Sequence, residues 1–215
     1  MNEDFEKDNL LEVKSFLEDG KIIILQTDTI LGLACLASSK NNIDKLFEIK
    51  KRDQKKSFSI FCKKNDIEKY ANIETEWQKK LIQNFIPGKI TFILKSKNKI
   101  FEEYGISKNN KIGIRIPNIE FWIKILNNLN YPLVVTSVNI SSESPALNFK
   151  EINHKIFEHE DVIKKEYKFI ENNFMFSNIP SSIFDISDKD IKNIECIRVG
   201  CITKHDILNF IKELY

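Results

Sequence analysis

Apolar positions recur along the chain at two spacings, every three to four residues and in short unbroken runs, and their alternation predicts an α/β protein. Leu10, Leu11, Phe16 and Leu17 fall at helical spacing within residues 9–19, and Gly20 follows as a helix stop. Residues 21–25 carry Ile22-Ile23-Ile24-Leu25, a buried strand that opens into a loop at the polar Gln26-Thr27-Asp28-Thr29. Ile43, Leu46, Phe47 and Ile49 predict a second helix over 42–51, followed by a strand at 58–62. Trp77, Leu81, Ile82 and Phe85 mark a helix that stops at Pro87-Gly88. Strands are expected at 90–94, 111–116 and 133–136, with a helix at 121–129 before the last of them. Two more strands, 182–186 and 194–199, precede a terminal helix over 203–214 with Thr203 as its N-cap. Residues 149–178 are polar, rich in Lys and Glu, and read as peripheral.

No repeat, low-complexity tract or linker interrupts this alternation, so one α/β domain over 1–215 is expected, an open, twisted mixed sheet with flanking helices. Hydrophobic residues at 42% and charged residues at 30% exclude a disordered chain or a disulfide scaffold. No apolar run approaches the roughly 18 residues of a membrane span. Met1-Asn2-Glu3-Asp4-Phe5-Glu6 is acidic where a signal peptide would be basic, so a cytoplasmic protein without membrane contact is expected. A net charge of +2 and a pI near 8.2 fall short of a dedicated nucleic-acid binder. Cys35, Cys62, Cys196 and Cys201 form no C-x-x-C pair and read as reduced thiols. His154 and His159 would lie about 140° apart on a helix, on different faces, so no protein metal site is expected.

Arginine changes the picture. Only Arg52, Arg115 and Arg198 occur among 33 basic residues, the rest being lysine. Lysine serves wherever charge alone is needed, so each retained arginine suggests a planar fork for a carboxylate, a phosphate or a base. All three fall inside short polar segments, Arg52 just after the second expected helix and Arg115 and Arg198 among Gly and Pro at expected strands, and open α/β sheets commonly bind ligands where strands give way to loops.

Those segments are Gln26-Thr27-Asp28-Thr29-Ile30-Leu31-Gly32-Leu33, Lys50-Lys51-Arg52, Pro87-Gly88-Lys89-Ile90-Thr91, Gly113-Ile114-Arg115-Ile116-Pro117, Thr136-Ser137-Val138-Asn139, Ser181-Ser182-Ile183-Phe184-Asp185 and Arg198-Val199-Gly200. In this order they resemble the YrdC-like family of L-threonylcarbamoyladenylate synthases, with its P-T-[DE]-T-x-Y-G-L, K-x-R-P, P-G-P-x-T, R-x-P, [TP]-S-A-N, S-T-I-x-D and R-x-G motifs. The resemblance runs from Gln26 to Cys201. Gln26 and Lys89 stand where the motifs have proline, Leu31 where they have tyrosine, and Val138 where they have alanine.

The resemblance implies a YrdC-like fold and a nucleotidyltransferase that joins L-threonine, bicarbonate or carbon dioxide, and ATP into threonylcarbamoyl-AMP, releasing pyrophosphate. It implies Lys50 and Arg52 as catalytic cations. Arg52, Lys56, Ser137, Asn139 and Arg198 would bind ATP, and Thr29, Arg115 and Ser181 would bind threonine. Magnesium would arrive with the ATP, and the product would pass to a transferase complex that modifies tRNA next to the anticodon. Two other readings stand beside it: a tRNA or double-stranded RNA-binding module without catalysis, and carbamoyl-adenylate chemistry on another acceptor.

Overall fold

Ten strands hydrogen-bond into one mixed sheet in the computed structural model, which describes residues 3–167 and 177–214. The strands are β1 (Ile22–Leu25), β2 (Gly32–Leu36), β3 (Ser59–Phe61), β4 (Ala71–Asn72), β5 (Ile90–Ser96), β6 (Lys111–Arg115), β7 (Leu133–Ser137), β8 (Val162–Ile163), β9 (Ser182–Asp185) and β10 (Glu195–Arg198). The helices are α1 (Glu3–Glu18), α2 (Lys40–Lys50), α3 (Ile67–Tyr70), α4 (Glu76–Phe85), α5 (Lys99–Glu103), α6 (Glu120–Asn128), α7 (His154–Phe157) and α8 (Lys204–Glu213). Across the sheet the order is β10-β9-β5-β6-β3-β7-β2-β1-β8, with β4 pairing the far end of β5. The β1–β8, β3–β6 and β5–β9 pairs are parallel; the others are antiparallel.

Register turns this order into two unlike faces. Phe184, Phe92, Ile114, Ile60, Val134 and Cys35 stand side by side on six successive strands, and each is 0% exposed. That row is the dry centre of the core, the two-residue period of the strands having sorted large apolar side chains to one side. The neighbouring row, Asp185, Ile93, Gly113, Ser59 and Val135, points to the other face and is far smaller and more polar. A cavity lies over it. Among the helices, α1 packs on β1, β2 and α6, α2 on β2, and α4 on α8. Both α4 and α8 begin with capping boxes, Thr75 with Gln78 and Thr203 with Asp206, so the expected Thr203 cap is present.

Two expectations are corrected. Residues 32–36 form β2, paired on both sides by β1 and β7. The polar Gln26–Thr29 segment marks only the loop of a hairpin, and the second strand's small residues, Gly32, Ala34 and Cys35, hide its apolar run. Residues 149–163 are not peripheral either. Ile156 and Val162 are buried, β8 joins the sheet beside β1, and Asp161 takes ion pairs from Lys21 and Lys45, both at 2.9 Å. Hydrogen bonds from these lysines hold the Asp161 carboxyl below its usual range. Such partners, more than a hundred residues away in sequence, leave no local pattern. Residues 168–176 of the same stretch lie outside the described residues. No helix among the described residues is long and apolar enough to cross a membrane.

Candidate active site

The polar face of the sheet is the floor of a cavity of about 480 Å³. Gly113 leaves room there: a Cβ on it would stand 2.8 Å from Ser59 Oγ. Around this floor the wall carries Arg52, Lys55, Lys56, Lys108, Lys111, Arg115 and Arg198, while Asp185 is the only carboxylate among the described lining residues. Such a cavity favours an anion, and its hydroxyls, from Thr27, Ser59, Thr91, Ser137 and Ser181, add donors without charge.

One side of the wall is built where α2 ends. Arg52 donates from Nε to the Lys56 carbonyl (3.1 Å) and from Nη2 to the Ser57 carbonyl (2.7 Å), with its guanidinium over Phe58. These bonds shape the 52–57 loop so that Arg52 and Lys56 both reach the cavity. Lys50 is placed differently. It is buried and does not line the cavity; Nζ donates to the Ser137 carbonyl (2.6 Å), the Asn139 carbonyl (2.8 Å) and Asn139 Oδ1 (2.7 Å). Burial, and then nearby Arg52, push the Lys50 ammonium down to about 7. The three oxygens oppose this, because only the charged form has three protons to give. Lys50, expected as a catalytic cation, is thus placed behind the cavity wall, where its three internal bonds anchor the turn after β7. Asn139 belongs to the same anchor. Its Oδ1 also accepts from Ser137 Oγ (2.6 Å) and its Nδ2 donates to the Glu143 carbonyl (2.7 Å), so Ser137 faces the cavity and Asn139 stands behind it.

The opposite side gathers the other two arginines. Arg115, almost fully buried on β6, donates from Nη2 to Asp28 Oδ1 and to Thr29 Oγ1 (2.9 Å), and from Nε to the Gly88 carbonyl (3.3 Å). Burial lowers its affinity for its proton and Asp28 restores part of it. Arg198 donates from Nε to the Ser181 carbonyl (2.9 Å) and from Nη2 to Ser181 Oγ (3.0 Å), which also contacts Thr91 Oγ1 at 3.1 Å. Burial first, and repulsion from Arg115 second, depress Arg198, so two guanidiniums share one neighbourhood. Arg198 thus sits with Ser181 and Arg115, a grouping the sequence reading divided between two ligands.

Thr29 does not line the cavity, and its proton is already spoken for. Thr27 Oγ1 donates to the Ile30 carbonyl (2.7 Å), so in the 2.9 Å contact between Thr27 and Thr29 it is Thr29 that donates. Thr29 Oγ1 then accepts from Arg115. Thr29, expected to bond threonine, thus stands in this structure directly behind Arg115. Behind Arg198, Gly200 is pressed against the backbone: a Cβ on it would stand 2.1 Å from the Pro180 carbonyl oxygen and 2.6 Å from the Ser182 nitrogen. Gly200→Ala should lower the melting temperature and turnover together, since the shift needed displaces Ser181 and Arg198; full turnover in this variant would show that the backbone gives without moving them.

Several residues of the site carried signals that the sequence reading left without a role. Asp28, Thr91 and Asp185 all fall inside the quoted segments. Lys111 bonds Asp185 at 2.7 Å, and this pair separates the cavity from a second, mixed-charge recess of about 430 Å³. Burial would raise the Asp185 carboxyl, but bonds from Lys111 and Ser187 overcome it and hold it low. In a chain so rich in lysine, Lys108 and Lys111 have no local mark; their place follows from the β5–β6–β9 register alone.

A mixed α/β sheet with a cation-lined, hydroxyl-rich cavity on one face has the charge and donors suited to polyanionic and carboxylate ligands. The family model of the Sua5, YciO and YrdC proteins, described as "Telomere recombination", matches residues 15–200. The chain belongs to this Sua5/YciO/YrdC family. A Methanocaldococcus jannaschii relative is 36% identical over 195 residues, which is 90% of this chain and 88% of that protein. Threonylcarbamoyl-AMP synthase of Wigglesworthia glossinidia brevipalpis is 31% identical, over 69% of this chain and 77% of that protein. Among solved structures, Pyrococcus abyssi Sua5 complexed with L-threonine superposes with a TM-score of 0.75 at 21% identity, over 95% of this chain but only 57% of the longer Sua5 chain. Escherichia coli YciO superposes with a TM-score of 0.75 at 20% identity, over 93% of both chains. These two likenesses establish the fold.

Proposed function

We propose that the chain is an L-threonylcarbamoyl-AMP synthase, an adenylyl-transferring enzyme that uses L-threonine, bicarbonate or carbon dioxide, and ATP. The convergence of Arg52, Lys56, Arg115 and Arg198 on one hydroxyl-lined cavity carries this reading, and relatives bearing the name threonylcarbamoyl-AMP synthase support it. The structure of P. abyssi Sua5 with L-threonine supports an amino-acid site in this fold.

Threonine's amine attacks carbon dioxide and loses a proton, giving a carbamate. A carbamate oxygen attacks the α-phosphorus of ATP, and the bond to pyrophosphate breaks. The carbamate is itself the nucleophile, so the protein needs no covalent intermediate. Its work is to hold two anions that repel each other and to balance the charge that develops on the leaving group. Arg52 and Lys56 face the phosphates with Ser137, while Arg115 and Arg198 face the amino acid's carboxylate beside Ser181. A magnesium ion would arrive on the triphosphate and be held by its phosphate oxygens, because the one carboxylate among the described lining residues, Asp185, is paired with Lys111. The product's consumer would be a transferase complex acting on tRNA beside the anticodon, in the cytoplasm.

Pyrophosphate release should require threonine and bicarbonate together, with threonylcarbamoyl-AMP detected by mass spectrometry. Equal release with either omitted would reduce the protein to an ATP pyrophosphatase. RNA binding that falls steeply with salt and ignores threonine would point instead to the RNA-binding reading. Arg52→Ala should weaken ATP binding about tenfold to a hundredfold, the roughly 1.5–3 kcal/mol of one charge-assisted contact, while the fold survives. Wild-type ATP affinity in this variant would confine Arg52 to ordering its own loop.

A further inference from the structure

We infer that Asp28 is the positioning residue of the amino-acid site: it fixes the Arg115 guanidinium so that one nitrogen, Nη1, is left to grip the substrate carboxylate. The inference deepens the proposed function and rests on it. Asp28 is 1% exposed in the loop between β1 and β2 and does not line the cavity, so it does not touch the substrate. Its two oxygens have separate tasks. Oδ1 accepts from Arg115 Nη2, and Oδ2 accepts from the backbone nitrogen of Asn118 at 3.1 Å, just beyond the strand that carries Arg115.

A guanidinium has five N–H groups in a fixed plane. In Arg115 the Nε proton goes to the Gly88 carbonyl and both Nη2 protons go to Asp28 and Thr29. The Thr29 acceptor is itself held by the proton order that runs from Thr29 to Thr27 to the Ile30 carbonyl. With three protons anchored on two loops, β1–β2 on one edge and α4–β5 on the other, the plane cannot turn. Nη1 donates to no described residue, although Arg115 lines the cavity and is 6% exposed. An unspent pair of N–H groups on a buried cation at a cavity wall calls for an anionic acceptor. The carboxylate is thus met by the two Nη1 protons and not by the Nε/Nη2 edge, which Asp28, Thr29 and Gly88 occupy.

The inference is tested by titrating threonine and ATP separately into wild type, Asp28→Asn, Arg115→Lys and the double variant, with thermal melts alongside. Asp28→Asn keeps an acceptor for Nη2 but turns a donor toward Asn118, so the guanidinium is released. Threonine affinity should fall tenfold or more, ATP affinity should stay within twofold, and adding Asp28→Asn to Arg115→Lys should cost nothing further. Threonine binding within twofold of wild type, or losses that multiply in the double variant, would overturn the inference. Should Asp28→Asn not fold, Thr29→Val removes the second Nη2 acceptor and the hydroxyl's own bond to Thr27 at near-constant shape, while the Thr29 backbone nitrogen stays bonded to Thr27 Oγ1; a severalfold threonine loss that vanishes in the Arg115→Lys background supports the inference, and an unchanged affinity overturns it. A wild-type protein that binds no threonine would instead overturn the proposed function, and this inference with it.

Discussion

Arg115→Lys should bind threonine about tenfold to a hundredfold more weakly than wild type while binding ATP normally. The substitution keeps a positive charge near Asp28 but replaces a planar fork with a compact ammonium whose donors all radiate from one atom. An ammonium held by Asp28, the carboxylate among the described residues that pairs with Arg115, has no rigid second arm to place in the cavity. The loss corresponds to roughly 1.5–3 kcal/mol, the range for a hydrogen bond to a charged group. Because the Gly88 carbonyl and Thr29 hydroxyl also lose a donor, the melting temperature should fall as well. Calorimetric titration of each substrate separates the effects. A lower melting temperature with unchanged threonine affinity would make Arg115–Asp28 a structural ion pair and nothing more.

How far the sequence foretold this site depends on the kind of information each residue carries. The strands β1, β3, β5, β6, β7, β9 and β10 and the helices α2, α4, α6 and α8 were legible because their apolar spacing is local. Arg52, Arg115 and Arg198 stood out because they defy the lysine bias of the chain. The partners of these residues were not legible in the same way. That Arg115 faces Asp28, 87 positions away, follows from the β6 strand ending beside the β1–β2 loop. Likewise, that Lys50 points into the protein follows from the end of α2 meeting the turn after β7. Residue type announced a charged group in both cases, and only the fold decided whether the charge serves a ligand or the protein itself. Lys50, Thr29 and Asn139 accordingly lie one hydrogen bond behind the cavity wall, each bonded to a residue that lines it.

Lys50 shows what such a support contributes. Lys50→Met keeps the length and apolar stem of the side chain and removes the ammonium. The Ser137 and Asn139 carbonyls then lose their donor, while Asn139 Oδ1 keeps the Ser137 hydroxyl. Two part-buried carbonyls left unpaired cost on the order of 1–3 kcal/mol each, enough for the turn to rearrange toward water. A second tie, from the Ser141 nitrogen to the Lys50 carbonyl at 2.8 Å, survives the substitution because it is backbone, so the end of α2 should stay docked and the protein should fold. What is lost is the direction of Ser137, the turn's only expected phosphate contact that lines the cavity. Lys50→Met should therefore raise the KM for ATP and cut turnover about a hundredfold, leaving threonine affinity near wild type, the reverse of the Arg115→Lys pattern. Steady-state pyrophosphate release with each substrate varied in turn reads both. If Lys50→Met were to lower thermal stability while keeping wild-type KM and kcat, the turn after β7 would have no part in holding the nucleotide, and the ATP side of the cavity would rest on Arg52 and Lys56 alone.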